Sequence, residues 1–395
     1  MEEFIMLDPS KSQKKSAHAK IIRLIQSQLS GKIITPFEIR LWDDSCYSFG
    51  EPPAEVSFIA KDRLGLLALC SLDELKFCEA YLYGNIDING DMLKVADFRK
   101  ILSDRHLLQS VLSRILPLLI GLVPANRKAI ASHYEFDNDF YLTFMDKTRC
   151  YSQAVFEKED EPLELAQNRK LEYAINACRL KPGDRVLDVG GGWGTFTEYA
   201  GKLGIQVTSL TISKQSEKFL TDLIQRLKLP CQALYKDFFE YESPEPYDGI
   251  VILGVMEHLS DYCAVIDKFK SLLKPGGRVY MDASAYWKKY SKPAFIARHV
   301  FPGNHSYFYL KKFLDAVKQK DFELVAVHND RHSYFLTCKA WAENLDAARN
   351  EIVQRWGEQL YRRFRLYLWG SAHAFFNHGL EAYRVVIERL NPREC

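Results

Sequence analysis

The stretch DRVLDVGGGWGTFTEYAGKLGIQVTSLTISKQ, residues 184–215, decides the fold. Arg185–Val189 has the length and apolar run of a short buried strand, and Gly190, Gly192 and Gly194 alternate through the turn behind it. Thr195–Leu203 reads as a helix and Ile205–Leu210 as a second strand. That order predicts a βαβ nucleotide site, whose glycines let the backbone approach a ligand while the amides of the helix N-terminus point at it. Alone the glycines are weak evidence, because tight turns without a ligand carry the same letters.

The spacing narrows the ligand. A dinucleotide fold pairs G-x-G-x-x-G with an acid about 20 residues on. Here the pattern is G-x-G-x-G, and the second strand ends on Thr211, Ser213 and Gln215 with no acid. An acid instead ends the first strand, Asp188, and another sits in the Asp237-Phe238 step beyond a third short strand. Acid, glycines and Asp-Phe suit an adenosyl group with an amino-acid tail, as in S-adenosylmethionine.

Length and composition bound the rest. The 395 residues give room for two or three domains, and 47% hydrophobic with 26% charged residues is ordinary for a soluble globular chain. A formal net charge of +2 points to neither nucleic acid nor an acidic tail. The nine cysteines form no C-x-x-C pair and no regular framework, which predicts reduced thiols in a cytoplasmic protein and no metal site. No apolar run of the signal-peptide kind opens the chain. The apolar segment Leu107–Val123 is broken by Arg114, Pro117 and Gly121. It falls short of the roughly 20 residues a spanning helix needs, so it reads as a buried or domain-bridging helix, with an interfacial role left open.

Along the chain, Ile21, Ile22, Leu24, Ile25 and Leu29 predict an amphipathic helix. Strands are expected at Phe37–Leu41 and Glu55–Ile59 with the turn-rich SCYSFGEPP between them, then a helix and a hairpin around Gly84 and Gly90. This gives an α+β domain within 1–97, a helical linker 98–129 and a nucleotide domain 130–395. Residues 133–157 are rich in aromatics and read either as helix and loop with core aromatics or as a lid. Pro162–Cys178 reads as a helix, Gly249–Leu253 as a strand, Tyr262–Leu273 as a helix, Lys274–Gly277 as a tight turn and Arg278–Asp282 as a strand. That alternation predicts an α/β doubly wound sheet with Asp188 and Glu257 beyond the carboxyl ends of its strands. After the irregular basic and aromatic residues 286–308, a helix is expected at Phe313–Lys318 and a strand at Glu323–His328. Ala340–Arg389 is expected to be helical, with Val385–Ile387 strand-like at its end.

HYEFDNDFY, CYSQAVFE, VLDVGGGWG, LTISKQ, GVMEHL, LLKPGGR, FPGN, LYLWGSAHAF and AYRVVIER, in this order, resemble the cyclopropane fatty acid synthase family, which includes the mycolic acid cyclopropane synthases. The likeness covers about residues 125–390. EAYLYGNIDINGD looks like the sterol-carrier-like lipid-binding domain that precedes the catalytic domain in full-length bacterial members. The resemblance implies a Rossmann-like class I methyltransferase domain that moves the methyl of S-adenosylmethionine to a cis double bond of a phospholipid acyl chain. Its setting would be the cytoplasm, peripheral to the membrane, with no nucleic-acid partner and with homodimer contacts open. On this likeness Tyr151, Ser152, Gly190, Gly192, Gly194, Thr211, Gln215, Asp237 and Phe238 fall on the family's cofactor contacts.

In the family a bound bicarbonate is the base, held by a Cys, a Glu, a His and a Tyr together with backbone. The Glu maps onto Glu257 and the Tyr onto Tyr334, but Gln153 stands where the Cys would be and Asp282 where the His would be. A second carboxylate beside Glu257 repels an anion, which argues against bicarbonate. Either Asp282 is the base with Gln153 as its hydrogen-bond partner, or the chain performs a methylation that closes no ring. Rival readings are a relative methylating a small-molecule or secondary-metabolite acceptor, and a lipid-binding protein whose methyltransferase half is inactive.

Overall fold

The computed structural model describes residues 35–104, 138–287, 293–301 and 306–391, with part of 22–31. It divides into two compact units, residues 1–107 with 293–295, and residues 108–292 with 296–395.

In the first unit β1 (Phe37–Leu41) pairs antiparallel with β2 (Cys46–Phe49) and parallel with β3 (Val56–Ala60), and β3 pairs antiparallel with β4 (Ile86–Gly90). Between β3 and β4 lie α1 (Arg63–Cys70) and α2 (Glu74–Leu82). Their N-caps Asp62 and Asp73 accept from the amides of Gly65 and Lys76, satisfying donors the first turn leaves open. A short helix α3 (Met92–Asp97) follows. Ile22, Ile25 and Leu29 are helical and buried.

Three expectations for this unit need correction. SCYSFGEPP contains strand β2, because Phe49 stacks on Phe37 with ring centroids 4.5 Å apart and so holds a segment whose turn residues hid its alternation. Gly84 and Gly90 do not frame a hairpin: Gly84, at φ +83°, follows the end of α2, and Gly90 ends β4, whose partner is β3. The linker does not begin at 98. Phe98 packs edge-on against Phe37 and Phe58 at 4.8 and 5.0 Å, and the Ser103 amide donates to the Leu72 carbonyl at 2.7 Å. The rest of the expected linker, with Leu107–Val123, lies outside the described residues.

The second unit is built on a seven-stranded sheet of order β10-β11-β9-β8-β5-β6-β7. In chain order its elements are α4 (Asn138–Leu142), α5 (Leu163–Ala177), β5 (Arg185–Val189), α6 (Thr195–Lys202), β6 (Gln206–Thr211), α7 (Lys214–Leu227), β7 (Gln232–Tyr235), β8 (Tyr247–Leu253) and α8 (Tyr262–Leu272). Then come β9 (Leu273–Ala285), α9 (Leu310–Lys318), β10 (Phe322–Asn329), α10 (Arg331–Ala347), α11 (Arg349–Trp356), α12 (Glu358–Phe376) and β11 (Glu381–Arg389). From β9 to β7 all neighbours are parallel, and β11 runs antiparallel between β9 and β10.

Alternate residues of each central strand enter different cores. Leu187, Val189, Ile250, Ile252, Val279 and Met281 pack with Val265, Ile266 and Phe269 of α8, while Val186, Val251 and Tyr280 pack with Leu171, Ala174 and Phe196 of α5 and α6. Both sheet faces are therefore buried, which explains the near-continuous apolar runs. The chain leaves β5 towards β6 on one side and returns as β8 on the other, so a crevice opens at the carboxyl ends of β5 and β8.

The expected turn Lys274–Gly277 is the beginning of β9. Leu273 pairs with Tyr247, the register shifts before Gly249 pairs with Arg278, and Gly277 passes Asp248 so closely that a Cβ would lie 2.9 Å from its carbonyl oxygen. The glycines therefore let the strand bulge instead of ending it. Likewise β11 is a full nine-residue strand in the sheet interior, where α12 ends at Phe376. Most of FPGN lies outside the described residues.

Candidate active site

At the β5/β8 crevice a cavity is lined by the turn Gly190–Trp193, by Asp188, Thr211, Asp237 and Phe238, by Arg149–Ser152, and by Gly254, Val255, His258 and Leu259. Most of the cofactor residues expected from the sequence thus share one cavity. The alternating glycines, however, do different work. A Cβ on Gly190 would run into Val255 and one on Gly194 into Leu223, so these two permit packing. A Cβ on Gly192, at φ +50°, meets nothing nearer than the Gly190 carbonyl oxygen at 3.8 Å and would occupy the cavity itself. Gly194 and Gln215 do not line it. Gln215 is exposed on α7, while its neighbour Ser216 lines the cavity and donates from Oγ to the Gly192 carbonyl at 2.6 Å.

Asp188 is buried beneath the turn, its Oδ2 accepting from Thr197 Oγ1 at 3.0 Å and Ser209 Oγ at 2.9 Å. Burial pushes its carboxyl up to about 6 against the pull of those hydroxyls. The folded protein therefore holds this proton more tightly than the unfolded chain. The stability it brings is full below about pH 4 and is lost as pH rises to about 6, on the order of 3 kcal/mol for a shift of about two units. Asp188→Asn should flatten that part of the stability profile, measured by urea unfolding at a series of pH values.

Residues 149–152 form part of the wall, and the segment 148–156 that carries them is fixed by bonds across the sequence. Thr195 Oγ1 donates to the Thr148 carbonyl at 2.9 Å, Arg149 Nε to the Trp193 carbonyl at 3.0 Å, and Gln167 Nε2 to the Ser152 carbonyl at 2.9 Å. The amides of Ala154 and Phe156 donate to Thr337 Oγ1 and Ser333 Oγ of α10 at 2.9 and 3.1 Å. Aromatics stand behind it: the Tyr151 ring lies 5.0 Å from Trp341, 5.5 Å from Tyr141 and 6.1 Å from Trp193. Within residues 138–157, Phe140, Tyr141 and Phe144 are thus core, while Arg149–Ser152 line the cavity.

Glu257 sits in the turn Met256–His258 after β8. Its Oε1 accepts from both the amide and the hydroxyl of Ser284 at 2.7 Å, and its carbonyl accepts from the Ser306 amide at 3.0 Å. Oε2 is buried and has no hydrogen-bond partner among the described residues. Burial pushes this carboxyl up to about 7, against the two Ser284 donors. Tyr334, on α10, stacks on Phe375 at 4.4 Å, and burial drives its phenol well above the usual range.

The expected pairing of Asp282 with Gln153 is overturned. Gln153 Nε2 donates to Asp330 Oδ2 at 2.9 Å, and Asp330 is clamped by Arg384, whose Nε and Nη2 donate to its two carboxylate oxygens. Asp282 is fully buried, its Oδ1 taking the Gly254 amide at 2.8 Å and its Oδ2 lying 3.4 Å from both Ser152 Oγ and Lys170 Nζ. Burial raises its proton affinity and Lys170 pulls it back. This carboxylate is therefore paired with Lys170 and not with Gln153.

Lys170 was missed in the sequence. Burial works against its ammonium, but Asp282 and Cys150 more than offset this and raise its pKa. The signal was there: α5 buries Ala166, Gln167, Lys170, Leu171 and Ala174, so the lysine sits on the apolar face of its helix.

The sequence model of the family described as Mycolic acid cyclopropane synthetase matches residues 124–385. The chain belongs to this family, and with it to the S-adenosylmethionine-dependent methyltransferases. A second family, described as a domain of unknown function (DUF7884), matches residues 24–104, close to the first unit. The chain is 27% identical to a probable fatty acid methyltransferase of Pseudomonas putida over 386 residues, 89% of this chain and 91% of that one. It is 25% identical to a sphingolipid C9-methyltransferase of Candida albicans over 79% of this chain, and spans only 65% of that protein's length. The mycolic acid cyclopropane synthase CmaA1, solved with S-adenosylhomocysteine and CTAB, superposes with a TM-score of 0.62 at 24% identity, covering 66% of this chain and 98% of that one, which shows the shared fold.

Proposed function

We propose that this methyltransferase transfers a methyl group from S-adenosylmethionine to a carbon–carbon double bond of an unsaturated lipid chain. The observation that carries the reading is the Gly192 cradle, open to a cavity walled by aromatic rings, in a chain of the cyclopropane synthase family. The cradle fits the cofactor: Asp237 and Phe238 lie where they can frame an adenine, and Gly192 keeps open the space that a side chain would fill.

When bound there, S-adenosylmethionine supplies an electrophilic methyl on a sulfonium. The protein's own task is to exclude water and place a weak alkene nucleophile in line. Tyr151 and Trp193 line the cavity, with Tyr141 and Trp341 packed on Tyr151, and the two lining rings can stabilise positive charge developing on the lipid. With Asp282 engaged by Lys170, the proton that leaves the methylated lipid passes to Glu257, a reading supported by its buried Oε2, which has no hydrogen-bond partner among the described residues. Mass spectrometry of lipids from cells with and without the protein tests the reading. A gain of one CH₂ on unsaturated chains is expected, and unchanged lipid masses would transfer the role to a small-molecule acceptor.

The first unit is assigned to lipid access at the membrane surface. Its α1 shows Leu64 and Leu67, 65% and 59% exposed at i and i+3, beside the exposed Arg63, a combination suited to an anionic bilayer. Replacing both leucines with aspartate should lower turnover on anionic vesicles at least several-fold while sparing detergent-dispersed lipid. Equal rates on vesicles would remove the assignment. No described helix is long and apolar enough to cross a membrane.

A further inference from the structure

We infer that the buried Lys170–Asp282 pair keeps an uncompensated charge from standing behind the cavity wall, and so preserves the preference of the cavity for a cationic methyl donor over its neutral product. The inference rests on the S-adenosylmethionine reading above. Lys170 and Asp282 are both 0% exposed. The ammonium donates to Ser152 Oγ at 2.7 Å and to Cys150 Sγ at 3.0 Å, and both of those residues line the cavity. A full positive charge therefore stands one side chain behind the wall. The carboxylate that cancels it is anchored on the amide of Gly254, which also lines the cavity. The other buried cation nearby, Arg384, is cancelled separately by Asp330.

As long as both members are present, the pair adds no net charge to a wall that also carries Arg149, Asp188, Lys236 and Asp237. Removing the carboxylate alone leaves the ammonium uncompensated where water cannot screen it. The sulfonium of the donor is then repelled and the thioether of the product is not. Structural damage by itself would weaken both ligands together, since they share the adenosine and the amino-acid tail. Discrimination between the two ligands thus isolates charge from shape.

The experiment is calorimetric binding of S-adenosylmethionine and of S-adenosylhomocysteine to the full-length protein, to Asp282→Asn and to Lys170→Met/Asp282→Asn, with thermal unfolding of each. In Asp282→Asn the affinity ratio of donor to product should fall on the order of tenfold, the size expected for one unscreened charge across a side chain. The double variant should return the ratio to the parental value and recover thermal stability lost in the single one. Equal weakening of both ligands in Asp282→Asn, or a double variant that keeps the bias, would overturn the inference. If Asp282→Asn does not fold, the double variant decides alone: recovered folding with the parental ratio supports the pair as the charge unit, and a shifted ratio or no recovery sinks it. A parental protein that binds neither ligand would instead overturn the methyl-donor reading itself.

Discussion

Gly192→Val should abolish binding of S-adenosylmethionine and leave the second unit folded. The glycine is at φ +50°, and its missing Cβ points at no protein atom closer than 3.8 Å, so the valine methyls have only the cavity to occupy. A β-branched residue in the left-handed region adds backbone strain on the order of 1–2 kcal/mol, which a domain of this size tolerates. Calorimetry should show no measurable heat with the variant, while its thermal unfolding remains cooperative. Gly192→Ala, with one methyl in the same place, should weaken binding to an intermediate degree. Binding by Gly192→Val at the parental affinity would mean that the ligand does not approach the turn.

Glu257→Gln should lower turnover by about 10²–10⁴, the range for loss of a general base, with little change in cofactor affinity. Glutamine keeps a carbonyl oxygen for the two Ser284 donors, so the turn should hold its shape. What disappears is the carboxylate oxygen that has no partner among the described residues. Because burial pushes the Glu257 carboxyl up to about 7, the parental rate should rise as pH passes through about 7 and the group loses its proton. The variant should lack that rise. Stability runs the opposite way, because the folded state binds this proton more tightly: the contribution is full below about pH 4.5 and is lost as pH rises to about 7. Parental turnover in Glu257→Gln would return the proton to another acceptor, and dependence of the parental enzyme on added bicarbonate would identify that acceptor as a bound anion.

The sequence by itself determined the βαβ unit, the doubly wound sheet and most of the cavity lining, because these rest on local physics. A glycine turn between an apolar strand and a helix has few other structures open to it, and residues at strand ends of a parallel sheet must gather at one edge. Asp188, Thr211, Asp237 and Phe238 were legible for that reason. Turn letters misled where tertiary contacts outweighed them, as when Phe37 draws Phe49 into β2 and Gly277 lets β9 slide past Asp248.

Only the tertiary structure decided which charges meet. Gln153 and Asp330 are 177 residues apart, and Ser152 and Asp282 are 130 apart, so no spacing in the chain reports their distance. A substitution pattern read along the chain made Asp282 look like a free base beside Gln153. The fold brings Lys170 from α5 to the same carboxylate and makes it half of a buried ion pair. The three glycines likewise look equivalent in sequence, and only the neighbours that a Cβ would meet separate Gly192, where it finds open space, from Gly190, where it runs into Val255, and Gly194, where it runs into Leu223. Local conformation follows from neighbouring residues, whereas burial and electrostatic partners are properties of the packed chain.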